Sequence, residues 1–203
     1  TEGTPPDKYH RFLSQNNAIW PHEKYLNIWL MSETKYPKFW NSITKLCVPK
    51  YRLGSETLPG LSLPPVPSTW VPKVEQIGIL FRMSTFQYFQ RSIDATAERE
   101  LVTCIGNYLG LLDTWKINNS NVNDQCNDTF AYGIVNNNGS LGTNSSWSKE
   151  VGSYRFLSEN IMDDPTGTHR SVSKDQALRM YWVLKNCAGR SMWQSDFALT
   201  GKE

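Results

Sequence analysis

Two apolar runs of strand length and two segments of helical period predict an α+β domain in this chain of 203 residues. The runs are Tyr25-Leu26-Asn27-Ile28-Trp29-Leu30 and Ile77-Gly78-Ile79-Leu80-Phe81-Arg82-Met83. The helical segments open at Asp94 and at Lys174. Between these lie stretches rich in Pro or Asn, which break both patterns.

Taken in order, residues 1–17 are polar, carry Pro5 and Pro6, and read as an extended arm. The run at 25–30 favours a strand. In residues 36–46, Phe39, Trp40, Ile43 and Leu46 share a helical face after Pro37, which predicts a short helix. Residues 57–73 hold Pro59, Pro64, Pro65, Pro67 and Pro72 and cannot be helix; they are loop, or an edge strand at most. The second strand follows at 77–83. Asp94 is placed to cap a helix, with Glu98 and Glu100 early, where the helix dipole favours negative charge. Leu101, Ile105, Leu109 and Leu112 give its expected buried stripe. Residues 114–150 read as a long solvated loop with a short strand at 130–135. Ser173 is the cap candidate for a last helix carrying Ala177, Met180, Tyr181 and Leu184 on one face and stopping near Gly189. The chain shows no internal repeat and no linker, so residues 1–203 are expected to form one domain.

Composition supplies ample core material: 39% hydrophobic residues, with eight Trp, nine Tyr and eight Phe. Net charge is +2 from 21 basic and 19 acidic residues with no basic run, which argues against a nucleic-acid partner or an anionic membrane surface. No apolar run approaches the ~20 residues of a membrane-spanning helix. Thr1 stands where a Met would be expected, which suits a chain whose leader has been removed. The cysteines Cys47, Cys104, Cys126 and Cys187 form no CxxC pair, so zinc-knuckle and thioredoxin-like sites are disfavoured. Their even number allows two disulfides in any of three connectivities. Asn118, Asn127, Asn138 and Asn144 each open an N-x-S/T acceptor for N-glycosylation within one polar region. Together these features predict a secreted eukaryotic protein.

An ordered set of motifs then carries a resemblance. It comprises YLNIWL at 25–30, GLSLP at 60–64, ERELVTCIGNYLGLLDTW at 98–115, SENIMDD at 158–164 and SVSKDQALRMYWVL at 171–184. The set resembles the pappalysin-like branch of the metzincin metalloproteases, particularly the fungal secreted ones, over roughly residues 25–184. There an LNIY strand precedes a site helix of the type LVHELGHYLGLYHTF, NxMDY forms a Met-turn, and FTxxQxxRM opens the final helix. The resemblance implies a twisted mixed sheet above a long site helix, in an upper lobe of about 18–112. It implies an irregular lower lobe of about 113–203 with the Met-turn at Met162 and a C-terminal helix.

The family's chemistry rests on H-E-x-x-H-x-x-G-x-x-H. Two His four apart share a helix face and can reach one Zn²⁺, a third closes the site after the Gly, and the Glu is general base. Aligned on Gly110, this chain has Thr103, Cys104, Asn107 and Asp113 at those positions. A hydroxyl and an amide are poor zinc ligands, and Cys104 occupies the wrong helical position to share a metal with Asp113. Gly106, Tyr108, Leu109, Gly110 and Leu111, which shape and pack the helix, are kept. Asp164 stands where the family usually has Tyr, and the histidines His10, His22 and His169 lie away from the motif. The family commonly has a Cys just after the site helix, and Cys126 fits that place.

The expected function is that of a secreted, catalytically inactive metalloprotease-like protein, a pseudoprotease with no metal and no cofactor. It would bind an extracellular protein or peptide as an effector, toxin or regulator. One alternative is an enzyme with a rebuilt metal site from Asp113, Asp163, Asp164 and His169. The other is an unrelated secreted structural or adhesive glycoprotein.

Overall fold

The structure, a computed structural model, describes residues 11–31, 46–48, 77–83, 95–117, 122–134, 148–151, 154–163, 170–186, 190 and 192. Its elements are β1 (Ile28–Met31), β2 (Leu46–Val48), β3 (Gly78–Arg82), α1 (Ala95–Tyr108), β4 (Trp115–Ile117), β5 (Tyr132–Ile134), β6 (Ser148–Val151), β7 (Tyr154–Leu157) and α2 (Lys174–Asn186).

β3 lies at the centre of a three-stranded sheet of order β1-β3-β2. β1 runs parallel to it, pairing Trp29 with Leu80, and β2 antiparallel, pairing Cys47 with Ile79. Ile79, Leu80 and Phe81 are all buried, so β3 is covered on both faces. This is why it reads as an unbroken apolar run rather than an alternation. One face packs on α1: Ile77, Ile79 and Phe81 join Cys104 and Tyr108, flanked by the partly buried Leu26, Leu30, Leu101, Ile105 and Leu109. Each such large side chain taken out of water contributes about 1.5–3 kcal/mol. Two smaller pairings follow: β4 runs parallel to β5, and β6 antiparallel to β7.

Several elements differ from the sequence expectations. Residues 11–15 form a helical turn that buries Leu13, where an extended arm is expected. Leu46, placed by its spacing at the end of a short helix, lies in β2; the rest of that segment and the proline-rich stretch at 57–73 fall outside the described residues. α1 ends at Tyr108, four residues short of Leu112, the last residue of the expected stripe, because Gly110 turns the chain with a positive φ. Its deepest residues are Thr103, Cys104, Asn107 and Tyr108, while Leu101, Ile105 and Leu109 are partly buried at the flank. The interval expected to be loop contains β4 and begins the β6–β7 hairpin; strands of three or four residues carry too little periodicity to announce themselves. α2 begins at Lys174, but it buries Gln176, Arg179 and Val183, while Tyr181 is 56% exposed. Among the tryptophans, Trp29 is buried, whereas Trp20 stands in solvent with its ring edge-on to Tyr25 at 4.8 Å. Among the described residues, no helix is long and apolar enough to cross a membrane.

Candidate functional site around the end of the first helix

A helix leaves its last carbonyls without intrahelical donors, and each must find a partner. α1 closes with a Schellman motif. The Leu111 N–H donates to the Gly106 carbonyl at 2.9 Å and the Gly110 N–H to Asn107 at 3.0 Å. Gly110 makes this possible with φ +88°, a left-handed conformation that costs a glycine little. A Cβ there would also lie 2.6 Å from Val183 Cγ2 of α2. The Tyr108 carbonyl accepts from Nε of Arg190 at 2.6 Å, and the Gly110 carbonyl from Nε of Arg179. Two buried guanidinium groups thus sit at the negative end of the helix dipole. The Arg190 guanidinium also lies 5.2 Å from the Tyr108 ring centroid.

Beneath α1 runs a turn at residues 160–163. The Asn160 side-chain oxygen accepts from the Met162 N–H at 2.9 Å, and the Asp163 N–H donates to the Asn160 carbonyl at 3.1 Å. The same Asn160 amide exchanges two hydrogen bonds with the Gln176 amide, at 2.7 and 3.1 Å. Gln176 closes a capping box with Ser173: its Oε1 accepts from the Ser173 N–H at 3.0 Å, and its own N–H donates to Ser173 Oγ at 3.2 Å. Asp128 adds to this cap, accepting from Ser173 Oγ at 2.6 Å and from the Asp175 N–H at 3.0 Å. Slight burial pushes the Asp128 carboxyl upward, but these hydrogen bonds outweigh it and hold its pKa below the usual range. The start of α2 and the Met162 turn are therefore one hydrogen-bonded unit.

The four motif positions divide between two sides of α1. Thr103 and Asn107, one turn apart, face the Met162 turn. The Thr103 hydroxyl donates to the Ile161 carbonyl at 3.0 Å. The Asn107 amide donates to Asp113 Oδ1 at 3.3 Å and lies 4.0 Å from Met162 Sδ. Gly106 lies over the same sulfur, which a Cβ would meet at 2.5 Å. The Thr114 N–H reaches the Met162 carbonyl at 3.0 Å, so the chain just past Asp113 is tied to the turn as well. Thr103, Asn107, Asp113 and Met162 thus form one cluster, and Thr103, Asn107 and Met162 are almost wholly buried in it. Cys104 points elsewhere, into the sheet core beside Ile79 and Phe81.

These residues do not fit the zinc that the resemblance implies. Thr103 and Asn107 supply an alcohol and an amide, and both are engaged as donors within the protein. Asp113 is the single carboxylate of the cluster, and it accepts from Asn107. Among the described residues, no group of three or more His, Cys, Asp or Glu is placed to hold a metal ion. Asp163, named for a rebuilt site, is buried and accepts from the Tyr132 hydroxyl. Asp164, His10 and His169 fall outside the described residues, and His22 stands beside Glu23 at 3.4 Å.

Of the disulfide candidates, Cys126 is a buried thiol; burial, reinforced by the nearby Asp124 charge, pushes its pKa to about 12. Cys104 is fully buried, Cys47 lies on β2, and Cys187 falls outside the described residues. Of the glycosylation candidates, Asn127 is described and exposed, while Asn118, Asn138 and Asn144 fall outside. Spacing and composition did not single out Tyr132, Asp124 or Arg190. Gln176 and Arg179 were visible only as members of the QxxRM motif, since a polar residue breaks the apolar stripe that periodicity detects. Comparison with family models, curated proteins and solved structures gives no match for this chain.

Proposed function

We propose that the chain is a secreted, catalytically inactive metalloprotease-like protein of the metzincin type that acts by binding another protein. The observation that carries this reading is the cluster of Thr103, Asn107 and Asp113 over Met162. Three positions spaced as the zinc ligands of that family are spaced converge at the end of one helix, above a methionine turn. Each is occupied by a residue that satisfies its neighbours rather than a metal. The glycine geometry at Gly106 and Gly110 supports the same reading, because the helix approaches the turn closely and leaves it sharply. With no histidine pair there to hold a metal, the cluster lacks the family's means of activating water. What remains is a scaffold for recognition, and an extracellular protein or peptide is its expected partner.

The test is proteolysis. The purified protein, incubated with a broad pool of unfolded peptides with and without a chelator, is expected to yield no chelator-sensitive cleavage by mass spectrometry. Reproducible cleavage that a chelator abolishes overturns the proposal.

A further inference from the structure

Beside the Met162 turn, on the side of α2's cap, lies an open cleft of about 240 Å³. Its walls are chemically uneven. Phe130 and Phe156 stand on one side, their ring centroids 4.7 Å apart and their planes tilted by 59°. Tyr132 backs Phe156 at 5.3 Å. Phe130 is 47% exposed, a large apolar ring of the lining left partly in solvent. Asp128 and Glu159 bring two carboxylates to the lining, and Ser158 and Asn160 bring further oxygen acceptors. Among the described residues of the lining none is basic; Arg170 and Lys174 are exposed and lie outside it.

Size and charge together choose the occupant. The cleft is smaller than the ~300–1,000 Å³ of sites that enclose a drug-sized ligand. It suits a single side chain or head group. Aromatic faces beside carboxylates favour a cation, which gains from the ring quadrupoles and from the charges at once. An anion would meet two like charges, and a purely apolar group would leave the carboxylates facing it.

We propose that this cleft takes the ammonium or guanidinium group of a lysine or arginine side chain presented by a protein partner. The proposal rests on the binding role argued above and gives that role a chemical preference. Glu159 supplies the charge, with Asp128 held in place by its bonds to the α2 cap. Phe130 and Phe156 supply the faces.

The experiment is an NMR titration of the intact protein with four probes: the Nα-acetyl amides of arginine, lysine and norleucine, and choline. Arginine and lysine amides are expected to shift the signals of Phe130, Phe156 and Glu159 saturably, at concentrations of roughly 1–10 mM. The norleucine amide is expected to bind several-fold more weakly, and added salt should weaken the cationic probes. Glu159→Gln, nearly isosteric and half-buried, is expected to lower affinity for the cations several-fold without changing the norleucine response. Phe130→Ser, at an exposed ring, is a second variant expected to fold and to lose the same binding. Equal binding of norleucine, no shifts at the cleft, or tighter binding of choline than of either amino-acid probe overturns the proposal. Failure here leaves the peptidase result untouched, and chelator-sensitive cleavage would overturn the inactive-scaffold reading without altering cation binding.

Discussion

The two sides of α1 are held by different physics. On the sheet side, Cys104 and Tyr108 pack against Ile77, Ile79 and Phe81, and the stabilisation comes from area removed from water. On the side of the turn, Thr103 and Asn107 are as deeply buried, yet their contacts are hydrogen bonds to Ile161 and Asp113 and a close approach to Met162. The apolar side tolerates exchanges that keep volume. The polar side tolerates few, because a buried donor or acceptor that loses its partner costs about 1–3 kcal/mol.

The largest effect expected on this contrast is alkaline. Burial raises Tyr108, on the sheet side, from 10.0 to about 12, with Arg190 opposing. Burial likewise raises Cys126, beside Asp124, from 9.0 to about 12. In both cases the folded state keeps its proton above the unfolded value. The associated stability is therefore complete below pH 9 and is lost as pH rises toward 12. At about 1.4 kcal/mol per unit, urea unfolding at stepped pH should show a loss of several kcal/mol over that window. Cys126→Ala should remove the part that begins near pH 9. A flat profile would mean that neither group is buried as described.

Next comes Met162→Ala, expected to cost about 3 kcal/mol, because the fully buried sulfur fills the space under Gly106. A cost below about 1 kcal/mol would show that helix and turn are not packed together. The smallest effect gives the sharpest comparison between the two sides. Thr103→Val keeps volume and removes the hydroxyl that serves Ile161; it should cost about 1 kcal/mol. Ile79→Val on the sheet side deletes a methylene and should cost a similar ~1 kcal/mol. Thermal unfolding of both variants checks this, and a neutral Thr103→Val would erase the distinction.

This contrast also explains what the sequence disclosed. The run that became β3 was legible because a strand buried on both faces must be apolar, and that of β1, which buries Trp29 but leaves Ile28 42% exposed, because its residues favour strand. The start of α2 was legible because Ser173 stands as a cap just before the helical period; that Gln176 completes a capping box with it needed the coordinates. The buried face of α2 was not. Its Gln176 and Arg179 are interior because Asn160 and the Gly110 carbonyl meet them, and no periodicity encodes a distant partner. The end of α1 was misplaced by four residues for a related reason. Leu109 and Leu112 continue an apolar rhythm past the point where Gly110 turns the chain. In the candidate site, the alignment on Gly110 named Thr103, Asn107 and Asp113 as a set. The bond from Asn107 to Asp113 and that from Thr103 to the Ile161 carbonyl needed the coordinates, as did the burial of Arg190 against Tyr108 from 82 residues away.

We propose that α1 and the Met162 turn form a metal-site scaffold without the ligands, and the most direct measurement introduces them. A variant carrying Thr103→His, Cys104→Glu, Asn107→His and Asp113→His should be purified beside the unaltered protein. Both should then be titrated with Zn²⁺ and assayed for bound metal by mass spectrometry. The prediction is about one tightly held zinc per chain in the variant and none in the unaltered protein. A folded variant that holds no zinc, or an unaltered protein that holds it stoichiometrically, would contradict the claim.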